Sequence, residues 1–373
     1  MPVFNERFKD LLAIRKITPT NFAKQIGVSK QAVAKYINDS LPKQDKLSNI
    51  AKILKAPVSY FKNPSPAINT SSPLFFRAKS KTSKKGNEYA ETTCNWIYEI
   101  VRGTECFEEK PKLNIPVFDK GLDISEKAQS LRDYWGLGVS PVKNLTDILE
   151  KNGIVISSIK NTAESDTDSY SQIINGLPIV VLNNNNDIAA RQRFNAAHEL
   201  GHLILHSSLS KTDFTINKAE YENEAYLFAS MFLLPPGKFN DMVESSEQGH
   251  LIELKEIWNV SISAILYRCE HAKILLPEQV SKARKQMYQI FGRKWEPKDD
   301  IIPVEIPHLL SNRIKNHIHD KDSFDKFYDI VKLPLDDIEI LSNLEDGYLS
   351  RYIIDDTETL ELADEEKLQL SLF

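Results

Sequence analysis

His198-Glu199-Leu200-Gly201-His202 sets two imidazoles and a carboxylate at the spacing of a single helical turn. On a helix, residues four apart share a face, so His198 and His202 can grip one zinc ion. Glu199 projects beside them, where it can take a proton from water. Hydrolysis at neutral pH calls for this pairing, because Zn2+ lowers the pKa of water and the carboxylate accepts the proton. A catalytic zinc takes three protein ligands and keeps a fourth position open. The third ligand is expected from a helix over Ala219 to Leu234, stopped by Pro235-Pro236. That helix offers Glu222 and Glu224. Glu222 is in register with Ala225 and Ala229, small residues that permit a close helix approach, and is preferred. Glu224 points toward the Phe228 side and is the alternative. The competing reading, a buried histidine pair with solvated glutamates, loses ground because a compatible partner helix follows at once.

Several elements must hold these residues in place. Asp187 to Ala197 reads as helix with Asp187 at the N-cap and no proline or glycine before Gly201. Ile188, Phe194, Ala197 and Leu203 form its apolar stripe. From about Ile124 the pattern is α/β. Ala128, Leu131, Tyr134 and Trp135 make one helical face, and Val142, Leu145, Ile148 and Leu149 another. Gly153 to Ile156, Gln172 to Ile174 and Leu177 to Leu182 read as strands. Ser169-Tyr170-Ser171-Gln172 is the candidate for an exposed edge that could hold an extended peptide by backbone hydrogen bonds.

The 373 residues predict two or three domains, with 41% hydrophobic and 27% charged residues as in ordinary globular proteins. No apolar run is long enough to suggest a membrane span, and the N-terminus lacks a signal-peptide core. Cys94, Cys106 and Cys269 are few, odd in number and far apart, which suggests neither a disulfide framework nor a cysteine-based zinc site. A cytoplasmic location is expected. The net charge of -5 conceals a polarity. Residues 1–60 carry nine Lys and two Arg against four acids, a net of +7, whereas residues 336–373 carry twelve acids against two bases, a net of -10. A basic head suits a polyanionic partner, and an acidic tail resists one.

Pattern in the head points the same way. Phe8, Leu11, Leu12 and Ile14 line a first helix. Thr18 caps a second, with Pro19 at its first position and Phe22, Ala23 and Ile26 inward. Gly27-Val28-Ser29 is a tight turn, and Ser29 caps a third helix in which Val33, Tyr36 and Ile37 face inward while Lys30, Gln31, Ala34 and Lys35 face out. Leu47, Ile50, Ala51, Ile53 and Leu54 begin a further helix, and Val58, Tyr60 and Phe61 close the bundle. Over residues 4–61 this resembles the phage-repressor, or XRE, family of helix-turn-helix proteins, through Ala23, Gly27, Val28-Ser29, Val33, Tyr36 and Asn38. The resemblance implies that Ser29, Lys30, Gln31 and Lys35 meet base edges and phosphates of double-stranded operator DNA. Pro19 departs from it, standing where that family often has a glutamine.

Residues 124–275 resemble the ImmA/IrrE family of zinc metallopeptidases, often found beside or fused to XRE repressors. The likeness runs through Leu131-Arg132, Arg193-Phe194, the His198–His202 string, Glu222 to Ala225, Phe228-Ala229 and Leu233-Leu234-Pro235, then Val260-Ser261, Ala264 and Tyr267-Arg268. It implies cleavage of a partner repressor. Tyr226 stands where the family commonly has asparagine, and His206, at a frequent family position, reads as a supporting or packing residue. Trp258 to Arg268 imitates a second helix-turn-helix but has few base-reading groups on its outer face, so it reads as structural.

The expected fold is multidomain α+β. Residues 1–62 form an all-α, lambda-repressor-like helix-turn-helix domain, and 63–123 a linker with a connecting helix from Glu91 to Arg102. Residues 124–280 form a zincin-like α/β metallopeptidase domain, and 281–373 an α-rich extension with an acidic tail. Proline, serine and basic residues between 62 and 95 suggest a hinge or exposed arm. Two functions compete. One is a regulator that binds operator DNA and cuts a repressor, or itself, with zinc and Glu199. The other is a transcription factor whose peptidase-like domain is a non-catalytic sensor or scaffold. A homodimer is compatible with both, and no membrane partner is expected.

Overall fold

The structure is a computed structural model that describes residues 3–38, 41–70, 72–78, 83–119, 121–160, 167–184, 188–292 and 295–353. The N-terminal bundle comprises α1 (Val3–Ile14), α2 (Pro19–Gln25), α3 (Lys30–Asn38) and α4 (Gln44–Ile53), closed by a 3-10 turn over Val58–Lys62. Its caps follow from the sequence. The Thr18 hydroxyl accepts from Asn21 N at 3.1 Å, with Pro19 opening α2, and Ser29 accepts from Ala32 N at 3.2 Å. Gly27 takes φ +68° in the turn between α2 and α3, where an L side chain would be strained.

Next come β1 (Phe75–Ala78), α5 (Lys84–Thr104), α6 (Ile124–Tyr134), α7 (Leu145–Lys151), β2 (Val155–Ile159), β3 (Thr167–Ile174) and β4 (Leu177–Asn183). The strands form one sheet in the order β1-β3-β4-β2, with β2 parallel to β4 and the other two pairs antiparallel. Asn175 and Gly176, both at positive φ, make the two-residue turn between β3 and β4. Strand β4 is buried on both faces, as its unbroken apolar run predicts. Leu177, Ile179 and Val181 pack with α5 and the bundle, while Val180 and Leu182 face α8 (Ala189–Leu205).

Beyond α8 lie α9 (Lys211–Ile216), α10 (Lys218–Leu233), α11 (Lys238–Met242), α12 (Gln248–Trp258), α13 (Ile262–His271) and α14 (Pro277–Phe291). The chain ends, within the described residues, in α15 (Leu309–His317), α16 (Lys321–Val331) and α17 (Leu335–Leu341). These last three return to α5 and to the bundle. Arg15 holds Asp337 through two hydrogen bonds of 2.7 and 2.6 Å, and Asn63 Nδ2 reaches the carbonyls of Ile330 and Val331. At Gly103 of α5 an added Cβ would collide with Val331 and Phe327, so glycine is what lets α16 lie against α5.

Two expectations change. The stretch after the bundle is not an exposed arm where it is described: Ser72, Leu74, Phe75 and Phe76 are buried, because β1 pairs with Thr167 to Ser171 of β3 and Ser72 bonds Ile173 N beyond it. The connecting helix begins at Lys84 rather than Glu91, since Ser83 caps it by accepting from Gly86 N. Helix α8 starts behind Ile188 as N-cap, whereas Asp187 lies outside the described residues, as does the acidic tail from 354 on. No helix among the described residues is long and apolar enough to cross a membrane.

Candidate metal centre and nucleic-acid interface

Helix α8 crosses the inner face of β3 and β4, and α10 packs on its other side. Gly201 sets their separation, because a Cβ there would meet the Cα and carbonyl oxygen of Ala225 at 3.1 Å. Three arginines brace the frame. Arg132 donates to the carbonyls of Gly138, Ser140 and Phe232, and Arg268 donates to Leu234 O, so both tie down the end of α10. Arg193 pairs with Glu305, a carboxylate that also receives Leu145 N and Thr146 N at the start of α7.

This frame brings His198, His202 and Glu222 together. His198 Nε2 lies 3.1 Å from His202 Nε2 and 3.2 Å from Glu222 Oε2, and His202 Nε2 is 3.7 Å from Glu222 Oε1. Donors about 2.0 Å from a tetrahedral ion would stand roughly 3.3 Å apart, so the three fit a zinc-sized ion. Among the described residues nothing donates a hydrogen bond to Glu222 Oε1, which leaves a lone pair to spare. Burial pushes the Glu222 carboxyl up, but the two imidazoles beside it, with His198 at hydrogen-bond distance, outweigh that and hold it at about 2. The carboxylate thus stays charged. Both histidines are fully buried, with Glu222 the partly exposed member.

Glu224, the alternative ligand, is elsewhere. Its Oε2 lies 2.8 Å from His206 Nε2, and His206 Nδ1 lies 3.0 Å from His202 Nδ1. Burial holds His206 down at about 4, so it is neutral near pH 7. One proton arrangement satisfies the chain: His206 Nε2–H donates to Glu224, and His202 Nδ1–H donates to His206 Nδ1. That leaves His202 Nε2 with its lone pair facing His198 and Glu222, the orientation a metal ligand needs.

Glu199 is held against strand β3. Ser169 and Ser171 donate their hydroxyls to its two oxygens at 2.6 Å each. Burial raises its pKa against the pull of His202 and the two serines. Period-two alternation places Ser169 and Ser171 on one face of β3, so the signal for this clamp lies in the sequence, beyond the backbone edge expected of the stretch. The edge itself is not exposed. Strand β1 covers it, and the Phe75 ring stacks on His202 with centroids 4.7 Å apart and planes 5° apart. On the other flank, the Tyr226 ring lies 4.7 Å from that of His198 and borders a cleft of about 490 Å³ lined also by Asn195, Tyr267 and Arg191.

In the bundle, Ser29, Lys30, Gln31 and Lys35 are all exposed along one side of α3, while Val33 and Tyr36 are buried beneath. The second helix pair, α12 and α13, differs. Glu296 accepts from Ile262 N at 2.7 Å and Ser263 N at 3.0 Å, so a carboxylate already fills the N-terminus of α13 where DNA phosphate would have to dock.

The two halves match known families. Residues 149–270 match the family model described as the IrrE N-terminal-like domain, a peptidase family, and residues 9–61 match that of the helix-turn-helix. The chain therefore joins an XRE-type helix-turn-helix to an ImmA/IrrE-like peptidase domain, and is a DNA-binding regulator that carries a peptidase-like domain. No curated protein sequence matches it.

Proposed function

We propose that this regulator binds operator DNA through α3 and that its peptidase-like domain is a zinc endopeptidase that cuts a repressor protein or the chain itself. The convergence of His198, His202 and Glu222 within zinc-ligand range, beside a buried and clamped Glu199, carries the reading. When bound, the ion would supply Lewis acidity for peptide hydrolysis. Glu199 would accept the proton of the attacking water on a carboxylate oxygen and pass it to the leaving amine. A carboxyl raised by burial suits both halves of that task. Ser169 and Ser171 fix its orientation while leaving further lone pairs, since each carboxylate oxygen accepts more than once. The His206–Glu224 pair holds the His202 ring. In the head, Lys30, Gln31 and Lys35 would read base edges and phosphates from the exposed face of α3, and Ser29 would hold the helix start against the backbone.

A second reading keeps the DNA-binding role but makes the metal centre a sensor or scaffold. Complete burial of His198, Glu199 and His202 favours it for the closed form seen here. The test compares wild type and Glu199→Gln, equally loaded with zinc, on repressors encoded beside this chain. A discrete cut by wild type alone is expected. Cutting that persists in Glu199→Gln refutes the role given to Glu199, and absence of any wild-type product under inducing conditions leaves the sensor.

A further inference from the structure

The covering of β3 follows from where β1 comes from. Residues 63–70 and 72–78 run from the DNA-binding bundle along the outer side of β3. Asn175 N donates to Asn69 O, Thr70 bridges Ile174, Ser72 Oγ accepts from Ile173 N at 2.9 Å, and Phe75 and Phe76 stand opposite Ser171 and Tyr170. This is antiparallel strand addition, the mode by which a sheet edge captures an extended peptide. Side chains alternate across it. Leu74 and Phe76 pack into the core shared with α5, while Phe75 faces the metal centre, stacked on His202 and edge-on to Phe214 at 4.9 Å. Phe75 is fully buried, and so are His198, Glu199 and His202. Glu199 sits under the two serines of the strand that β1 pairs with, so this arrangement leaves no room for a peptide on that edge.

We infer that β1 is a resident, in-cis occupant of the peptide site. The outer edge of β3 takes an extended peptide antiparallel, with a bulky aromatic side chain in the Phe75 pocket formed by His202, His206 and Phe214, and only after β1 has left. The inference rests on reading His198, His202 and Glu222 as a peptidase centre, and it names that centre's substrate class and its control. Because β1 is tethered to the bundle through Asn63 and the 3-10 turn, movement of the head is the physical means of withdrawing it.

The test uses the zinc-loaded full chain and a fluorescent peptide copying residues 72–78, read by anisotropy. A competing occupant lowers apparent affinity by the fraction of time the site is open. Phe75→Ala, which weakens the occupant, is therefore expected to capture the peptide on the order of tenfold more tightly than wild type. A peptide with alanine in place of the phenylalanine at position 75 should lose that gain. Capture no better than wild type by a folded, zinc-replete Phe75→Ala overturns the inference. Should that variant not fold, a Thr70→Cys/Ile174→Cys pair, at directly bridged positions, locks the strap when oxidised. At saturating peptide the reduced form should capture and the oxidised form should not. Equal capture by both forms, or none by either, overturns it. Capture without cleavage removes only the hydrolytic reading, whereas repressor cleavage by the locked form removes only this one.

Discussion

Replacing Arg7 should detach the DNA-binding bundle energetically from the rest of the chain. Arg7 is fully buried and donates to both oxygens of Glu99 on α5 at 2.7 Å each, to Asn63 O at 2.8 Å, and lies 4.8 Å over the Tyr60 ring. Burial alone pushes the Glu99 carboxyl up, and the guanidinium pulls against it. Arg7→Met leaves that carboxylate buried beside an apolar side chain, which costs about 3–5 kcal/mol. Arg7→Met with Glu99→Leu removes both charges and should recover most of the loss, to within about 1–2 kcal/mol of wild type. Adding Glu99→Leu to Arg7→Met then recovers on the order of 3 kcal/mol. Urea unfolding followed by fluorescence reports it well, because Trp96 packs 5.8 Å from Tyr60 beside the pair. The sign of the pH dependence is also fixed. Glu99 in Arg7→Met has a folded pKa above its unfolded value, so its ionisation penalises the folded state. The deficit is full above the folded pKa and disappears as pH falls to the unfolded one, near ~4.3. A single-variant loss below about 1 kcal/mol, or a double variant no better than the single one, would refute the reasoning.

Three other outcomes are expected. Glu222→Gln should lower zinc stoichiometry after dialysis against a weak chelator, while Glu224→Gln, whose carboxylate lies against His206, retains most of the metal; the reverse order would exchange their assignments. Gly103→Leu should destabilise by about 1–3 kcal/mol in thermal melts, because even a Cβ there collides with Val331 and Phe327. Lys30→Ala with Gln31→Ala should abolish sequence preference in gel-shift titrations and leave the melting curve alone; unchanged operator selectivity would move the recognition surface off α3.

What could be read from the chain depended on the range of the interaction. The facing of His198 and His202 follows from one helical period, and the caps at Thr18 and Ser29 from local hydrogen bonding, so each was within reach of a few residues of sequence. Glu222 was legible one step further out, through the small residues that let α10 approach α8. The pairing of β1 with β3 was not, because it joins positions almost a hundred residues apart and rests on a strand of only four residues. Proline, serine and lysine around Leu74-Phe75-Phe76 gave the segment the look of a linker, though an apolar triplet of strand character stood inside it. The C-terminal helices were legible as helices from Phe324, Phe327 and Val331, but their destination was not. Arg15 and Asp337 are 322 residues apart, and nothing local marks them as partners.

The bundle and the C-terminal helices share one hydrophobic core with α5 and a face of the sheet. A nick in the connecting segment between residues 63 and 83 would therefore not be a severance. The two fragments would stay clasped through the interior they have in common, as a split protein does, and operator occupancy would survive the broken bond. For such a cut to change gene expression, it must loosen the clasp itself, and the strand that emerges from the bundle to lie against β3 is where a new chain end would be felt first.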